Sequence, residues 1–279
     1  MTKIAIVLTG TVSPNVKGGS FTSSERYAMY TSTLDYYAKT IGRSYPIVFL
    51  ENSSADLSMW KDRFKNTLDL TIMQFRPDTS EYDGFDNSKG KGYNEYLMIK
   101  KGLLRMDNAY PPPSQLLTHF LKITGRYPML NINKILAECE RRLSKRQVVF
   151  IGDIKDTCIY KFVGRDTLSS HWGDSRFFCA EINYYRESMI DCYAEMNDYE
   201  PESWAEHYFL RLSRKFRHDS RFQFRYRTQV RFGGVSGAAT NASYDSLGNR
   251  VKASVRQLGR LLFPYIWFLY DEFIEEICD

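Results

Sequence analysis

Apolar runs of four to six residues recur through the first half of the chain, separated by longer stretches in which apolar positions return every three or four residues. Ile4-Ala5-Ile6-Val7-Leu8, Pro46–Leu50, Thr71–Phe75, Phe120–Thr124 and Val148–Ile151 are runs of the first kind. A short continuous run without alternation is the mark of a strand buried on both faces. Helices are expected between them: Ser23–Thr40 with Ser23 or Ser24 as N-cap, Ser58–Thr67, Tyr93–Arg105, one after the triple proline Pro111–Pro113, and Asn133–Leu143. Such alternation predicts an α/β domain with a mostly parallel central sheet. Ligands of such sheets bind where strands end. That singles out the loops Thr9–Ser20, Glu51–Ser53, Lys89–Gly92 and Thr124–Tyr127.

The second half is patterned differently. Phe177–Cys192 and Trp204–Leu212 read as aromatic-rich helices, and Phe222–Phe232 alternates between aromatic or aliphatic residues and Arg225, Arg227 and Arg231. Period-two alternation predicts a strand with one basic face. A helix carrying Lys252, Arg256 and Arg260 follows the glycine-rich turn Gly233–Gly237. Without a linker between the halves, a single domain is expected, residues 1–155 forming one half and 156–279 a helical, aromatic-rich other.

Composition supports a folded protein. Of 279 residues, 43% are hydrophobic and 15% aromatic, which disordered chains lack. The net charge is +5, a mild excess that suits acidic small molecules or an anionic membrane surface better than duplex DNA. Five cysteines without a CxxC pair read as free thiols in a reducing cytosol. The apolar start stops at Thr9-Gly10, too early for a signal segment, and Leu261–Tyr270 is too short to span a bilayer. A cytoplasmic protein is expected.

Two sequences suggest chemistry. Lys89-Gly90-Lys91-Gly92 opens a helix, where glycines, a helix N-terminus and lysines together suit a phosphate or pyrophosphate. It lacks the Gly-Lys-Ser/Thr ending of a nucleotide-binding P-loop. Lys122-Ile123-Thr124-Gly125-Arg126-Tyr127 puts two cations at a strand end, and a guanidinium there can clamp a diphosphate by paired hydrogen bonds. Asp174 and Glu206 supply carboxylates in the second half, while His207 reads as structural. The chain has no GxSxG, HExxH or GxGxxG motif.

With PIVFLENS (Pro46–Ser53), KGKGYNE (Lys89–Glu95), KITGRYPMLNI (Lys122–Ile132), GDSRFF (Gly173–Phe178) and GVSG (Gly234–Gly237), the chain resembles bacterial glycosyltransferases of lipopolysaccharide, O-antigen and capsule synthesis. The resemblance implies a glycosyltransferase A-type, Rossmann-like fold whose first half binds a nucleotide sugar and whose second half binds the acceptor. It implies donor contacts from Thr9, Gly10, Thr11, Arg26, Glu51, Asn52, Lys89, Lys91, Gly92, Lys122, Thr124, Gly125 and Arg126, and a catalytic base at Glu206, with Asp174 second and Glu95 or Asp153 as further alternatives. Enzymes of this fold usually hold a divalent metal on an Asp-x-Asp motif, which this chain does not contain. Fixed cations are therefore expected to neutralise the departing diphosphate, with no metal cofactor.

The implied partners are a UDP-sugar and a lipid-linked or oligosaccharide acceptor, and no nucleic acid. The basic run Arg211, Arg214, Lys215, Arg217 and Arg221 and the aromatics Phe263, Tyr265, Trp267, Phe268 and Tyr270 suggest peripheral contact with an anionic membrane. Two other readings are a nucleotide-dependent transferase of another kind and a basic, aromatic RNA-binding module.

Overall fold

The computed structural model describes residues 3–14, 21–77, 79–109, 117–145, 147–156, 171–234 and 243–262. In the first half the order is β1 (Ile4–Gly10), α1 (Ser23–Thr40), β2 (Pro46–Glu51), α2 (Ser58–Phe64), β3 (Asp69–Gln74), α3 (Gly90–Ala109), β4 (His119–Thr124) and α4 (Ile132–Lys145). There follow β5 (Phe150–Ile151), β6 (Ile154–Asp156), β7 (His171–Gly173), β8 (Phe177–Glu181), α5 (Ile182–Ser188), α6 (Ala205–Lys215), β9 (Phe222–Gln223) and α7 (Leu247–Leu262).

Seven strands form one sheet in the order β3-β2-β1-β4-β8-β5-β9, and β6 pairs with β7 beside it. The pairings β3–β2, β2–β1, β1–β4 and β5–β9 are parallel. The strand β8 runs antiparallel to both neighbours. One sheet therefore takes strands from both halves of the chain. The strand order reverses direction at β1, with β2 on one side and β4 on the other. Such a switch point opens a crevice beyond the strand ends, because the connections leave in opposite directions.

Helices cover both faces of the sheet. Along β1, Ile4, Ile6 and Leu8 face a cluster with Leu34 and Tyr37 of α1, Trp60 of α2 and Leu136 of α4. Ala5 and Val7 face the other cluster, with Tyr96 and Ile99 of α3, Tyr185 of α5 and Phe209 of α6. All seven residues of β1 are buried, which explains why its run does not alternate.

The sequence expectations need three corrections. The cap of α1 is Thr22, whose hydroxyl accepts from the Glu25 amide while the Glu25 carboxylate accepts from the Thr22 amide, a reciprocal capping box. Phe177–Glu181 is a strand and only Ile182–Ser188 is helical. A short apolar run is ambiguous by itself, and here a slot between β4 and β5 takes it as a ladder. Of Phe222–Phe232 only Phe222–Gln223 pairs as a strand. Phe222, Phe224, Tyr226, Val230 and Phe232 are still buried, but the amides of Arg227 and Thr228 bond to the Glu138 carboxylate of α4 in place of a ladder. The helix expected after the triple proline falls on 110–116, which lie outside the described residues.

Candidate substrate cleft

A cleft of about 480 Å³ opens at the carboxyl ends of β1, β2 and β4, facing the start of α3. That is within the usual range of small-molecule sites. Each predicted strand-end loop contributes something, but the individual residues divide into those that face the cleft and those that build it. Thr9, Gly10, Thr11, Arg26, Asn52, Lys91, Thr124 and Arg126 line it. Glu51, Lys89, Gly92, Lys122 and Gly125 do not line it.

Glu51 is fully buried beneath the cleft. Its carboxylate accepts from the amides of Val12 and Ser53, both at 2.9 Å, and from Gln74 Nε2 at 2.9 Å. It fastens the loop after β1 to the ends of β2 and β3. Gly125 lies where β4 meets β1, its amide donating to the Thr9 carbonyl at 2.8 Å. A Cβ there would stand 3.0 Å from that carbonyl oxygen, so a larger residue would part the two strand ends.

Lys122 has no exposed surface, although its position in β4 suggested a phosphate ligand. Its ammonium sits 2.8 Å from Glu95 Oε1 and donates to the Ser175 carbonyl at 2.7 Å. Thr9 Oγ1 donates to the same Glu95 oxygen at 2.5 Å. Glu95 belongs to the first turns of α3 and lines the cleft with a quarter of its side chain exposed. All these donors converge on Oε1, and Oε2 takes no hydrogen bond among the described residues. The carboxylate is thus anchored by one oxygen and open at the other.

The glycine-rich start of α3 is also occupied from within the chain. The Lys91 amide donates to Asp198 Oδ2 at 2.6 Å and the Gly92 amide to Oδ1 at 3.1 Å. Gly90 has φ of +87°, and a Cβ on it would lie 2.5 Å from the Asp198 Cβ. The glycines admit this carboxylate, which satisfies the orphan amides a phosphate was expected to meet. Lys89 is exposed outside the cleft, and only the Lys91 side chain remains at its rim.

Cationic charge in the cleft comes from two arginines on different elements. Arg26 of α1 is buried, and its Nη1 donates to the Thr11 carbonyl at 3.1 Å. Arg126, following β4, lies with its guanidinium 4.8 Å from the Tyr127 ring centroid and 5.7 Å from that of Phe21. Neither has a carboxylate partner among the described residues, and the Nε of each is buried without a hydrogen-bond acceptor. Burial above all, and then repulsion from Arg126, lowers the Arg26 pKa, although a guanidinium stays charged at neutral pH. Two converging guanidinium groups with unsatisfied donors form a site for an anion.

The two carboxylates expected to act as base are engaged elsewhere. Asp174 is buried and chelated by Arg176, with Nε to Oδ1 at 2.7 Å and Nη2 to Oδ2 at 2.5 Å. Glu206, in the first turn of α6, accepts from the Ser175 hydroxyl at 2.7 Å and does not line the cleft. Asp198, which sequence reasoning did not place there, and Glu95, a further alternative for the base, are the acidic residues among the described residues lining the cleft. Asp153, the other alternative, is buried and chelated by Arg260, away from the cleft. Among the described residues, no three His, Cys, Asp or Glu side chains group as a metal site.

The aromatic residues are largely consumed by packing. Tyr199 and Trp204 are the large aromatics exposed among the described residues, and the Trp204 indole donates to the Asp198 carbonyl. A stacking surface for successive bases is not formed there. The aromatics Phe263–Tyr270 and the Val235–Gly237 part of the glycine-rich turn lie outside the described residues. No described helix is long and apolar enough to cross a membrane.

No family model and no curated protein sequence matches the chain. Solved structures with a similar arrangement include 4-diphosphocytidyl-2C-methyl-D-erythritol synthase from Anaerococcus prevotii, at 14% identity and a TM-score of 0.42, covering 91% of this chain and 96% of that one. Mouse xyloside xylosyltransferase 1 matches at 11% identity and a TM-score of 0.42, covering 80% of this chain and 85% of that one. The glycosyltransferase GlyE of Streptococcus pneumoniae matches at 12% identity and a TM-score of 0.44, covering 80% of this chain and 45% of that one.

Proposed function

We propose that this chain is a glycosyltransferase of the A-type fold that moves a sugar from a UDP-sugar to a hydroxyl of a growing bacterial surface glycan, without a metal. The observation that carries the reading is the Arg26–Arg126 pair, two cleft guanidinium groups with orphaned donors and no acidic partner among the described residues. The motif resemblance points the same way, and the position at a strand-order switch point suits a nucleotide.

The bond from the anomeric carbon to the diphosphate breaks as the acceptor oxygen forms its own bond to that carbon. The negative charge that develops on the leaving diphosphate falls beside Arg26 and Arg126, whose positions are fixed before reaction, so little reorganisation is needed. Glu95 Oε2 takes the proton of the attacking hydroxyl, with Lys122 and Thr9 holding the other oxygen. Glu206 and Asp174 then serve structure.

We also place the protein at the inner face of a membrane. Leu247, Val251, Val255, Leu258 and Leu262 form one outward stripe on α7, all more than half exposed. Such a face suits a lipid interface. Sedimentation with anionic vesicles that Val255→Glu/Leu258→Glu does not weaken would reject this part.

The main test is calorimetric titration of UDP, GDP and CMP with and without EDTA. UDP should bind equally well with EDTA, and Arg126→Leu or Arg26→Leu should weaken it at least about tenfold, the value of a charge-assisted hydrogen bond. Absence of nucleotide binding by a folded protein, or UDP binding only with Mn²⁺, would refute the assignment as stated.

A further inference from the structure

A second cavity, of about 290 Å³, lies between α7 and the start of β8. It sits at the same end of the sheet as the cleft, because β8 runs antiparallel to β4 and brings Arg176 beside Thr124, whose amide donates to the Arg176 carbonyl at 2.8 Å. The Tyr127 ring, against which Arg126 packs on the cleft side, meets Tyr244 of the second cavity at 5.0 Å between centroids.

The helix α7 is docked opposite to the usual sense. Its apolar stripe faces outward, while Lys252, Arg256 and Arg260 recur every fourth residue on the other side, toward the cavity. An amphipathic helix ordinarily buries the apolar stripe and leaves the charges in water. Arg260 is buried, whereas Lys252 and Arg256 stand exposed at the cavity's rim, and the three carboxylates among the described residues lining the cavity are already used. Asp153 is chelated by Arg260 at 2.8 and 2.7 Å, Asp174 by Arg176, and Asp245 by Arg250 at 3.1 and 2.6 Å and by Arg231 at 3.0 Å. Lys252 and Arg256 are left in excess, with no ion pair among the described residues.

We propose that this second cavity binds a phosphoryl group. Its volume is at the small end of ligand sites, sufficient for a phosphate and an attached ring but small for a nucleotide. A phosphoryl ester carries up to two negative charges and three acceptor oxygens, which match the surplus cations. Because the cavity is one tyrosine away from the cleft, the group belongs to the acceptor. That last step rests on the proposed sugar transfer, whereas phosphate binding itself does not.

The experiment is calorimetric titration of methyl phosphate into protein saturated with UDP, which fills the cleft first. Wild-type protein should still bind one equivalent. Lys252→Gln/Arg256→Gln, at two exposed positions, should weaken it at least about tenfold and leave UDP affinity unchanged, while Arg126→Leu should do the reverse. Sedimentation with phosphatidylcholine vesicles containing phosphatidic acid separates the sources. Retention dependent on Lys252 and Arg256 assigns a lipid-borne phosphoryl group, and binding of methyl phosphate alone a soluble one. Unchanged methyl phosphate binding in the double variant, or no binding by wild type, overturns the proposal. If UDP never binds but methyl phosphate binds through Lys252 and Arg256, the transferase reading falls and the site stands.

Discussion

Replacing Lys122 with methionine keeps the length and most of the volume of a fully buried side chain while removing its charge. The ammonium is 2.8 Å from Glu95 Oε1, 2.7 Å from the Ser175 carbonyl and 3.3 Å from Thr124 Oγ1, and it lies over the Tyr96 ring. Removing one member of a buried ion pair costs roughly 3–5 kcal/mol, because the partner keeps its desolvation without its counter-charge. Glu95 retains a quarter of its exposure, so water recovers part of that loss and about 3 kcal/mol is expected. In a domain of this size that corresponds to a fall in Tm of roughly 6–12 °C. Lys122→Met/Glu95→Gln, with no charge left unpaired, should recover about half of the loss. Urea unfolding of wild type, both single variants and the double variant gives the coupling directly. A cost below about 1 kcal/mol for Lys122→Met, or a double variant less stable than either single one, would refute the buried pair. The same variant separates structure from ligand contact: UDP affinity should be unchanged, and a folded Lys122→Met that binds UDP tenfold more weakly would restore lysine as a phosphate ligand.

Asp198→Ala should cost about 1 kcal/mol by uncapping α3, whereas Gly90→Ala should cost more than about 2 kcal/mol, since it combines φ of +87° with a 2.5 Å approach; equal stabilities in urea would contradict the docked carboxylate. Burial lowers the pKa of the His119 imidazole below its ordinary value, so below about pH 6.5 the unfolded chain takes up a proton that the native chain refuses. Stability present above that pH is then lost as the pH falls, and His119→Gln should flatten the loss between pH 7.5 and 5.5 in urea melts. Burial also pushes the Cys192 thiol up to about 12, and Cys139 and Cys179 are buried too. No more than two of the five thiols should therefore react with a disulfide reagent at pH 8 until denaturant is added. Reaction of three or more in native protein would show that this core opens.

Some of this molecule was legible one segment at a time. The buried strands β1, β2 and β4 follow from apolar runs that need no partner to be recognised, and α1 and α3 from three-to-four periodicity. Their alternation fixed the parallel part of the sheet, and with it the strand-end loops from which the cleft is made. Arg126 was within reach of the same reading, because it stands in one of those loops, whereas Arg26, inside α1, came only with the resemblance. What depended on tertiary structure was the state of each polar group. The Phe177 run is a strand because β4 and β5 leave a slot for it. Lys122 is an internal counter-ion because α3 brings Glu95 over the end of β4. The helix N-terminus that invited a phosphate is filled by Asp198, from 107 positions away. Local propensity sets which elements form, whereas desolvation decides which charges must pair, and that depends on neighbours distant in sequence.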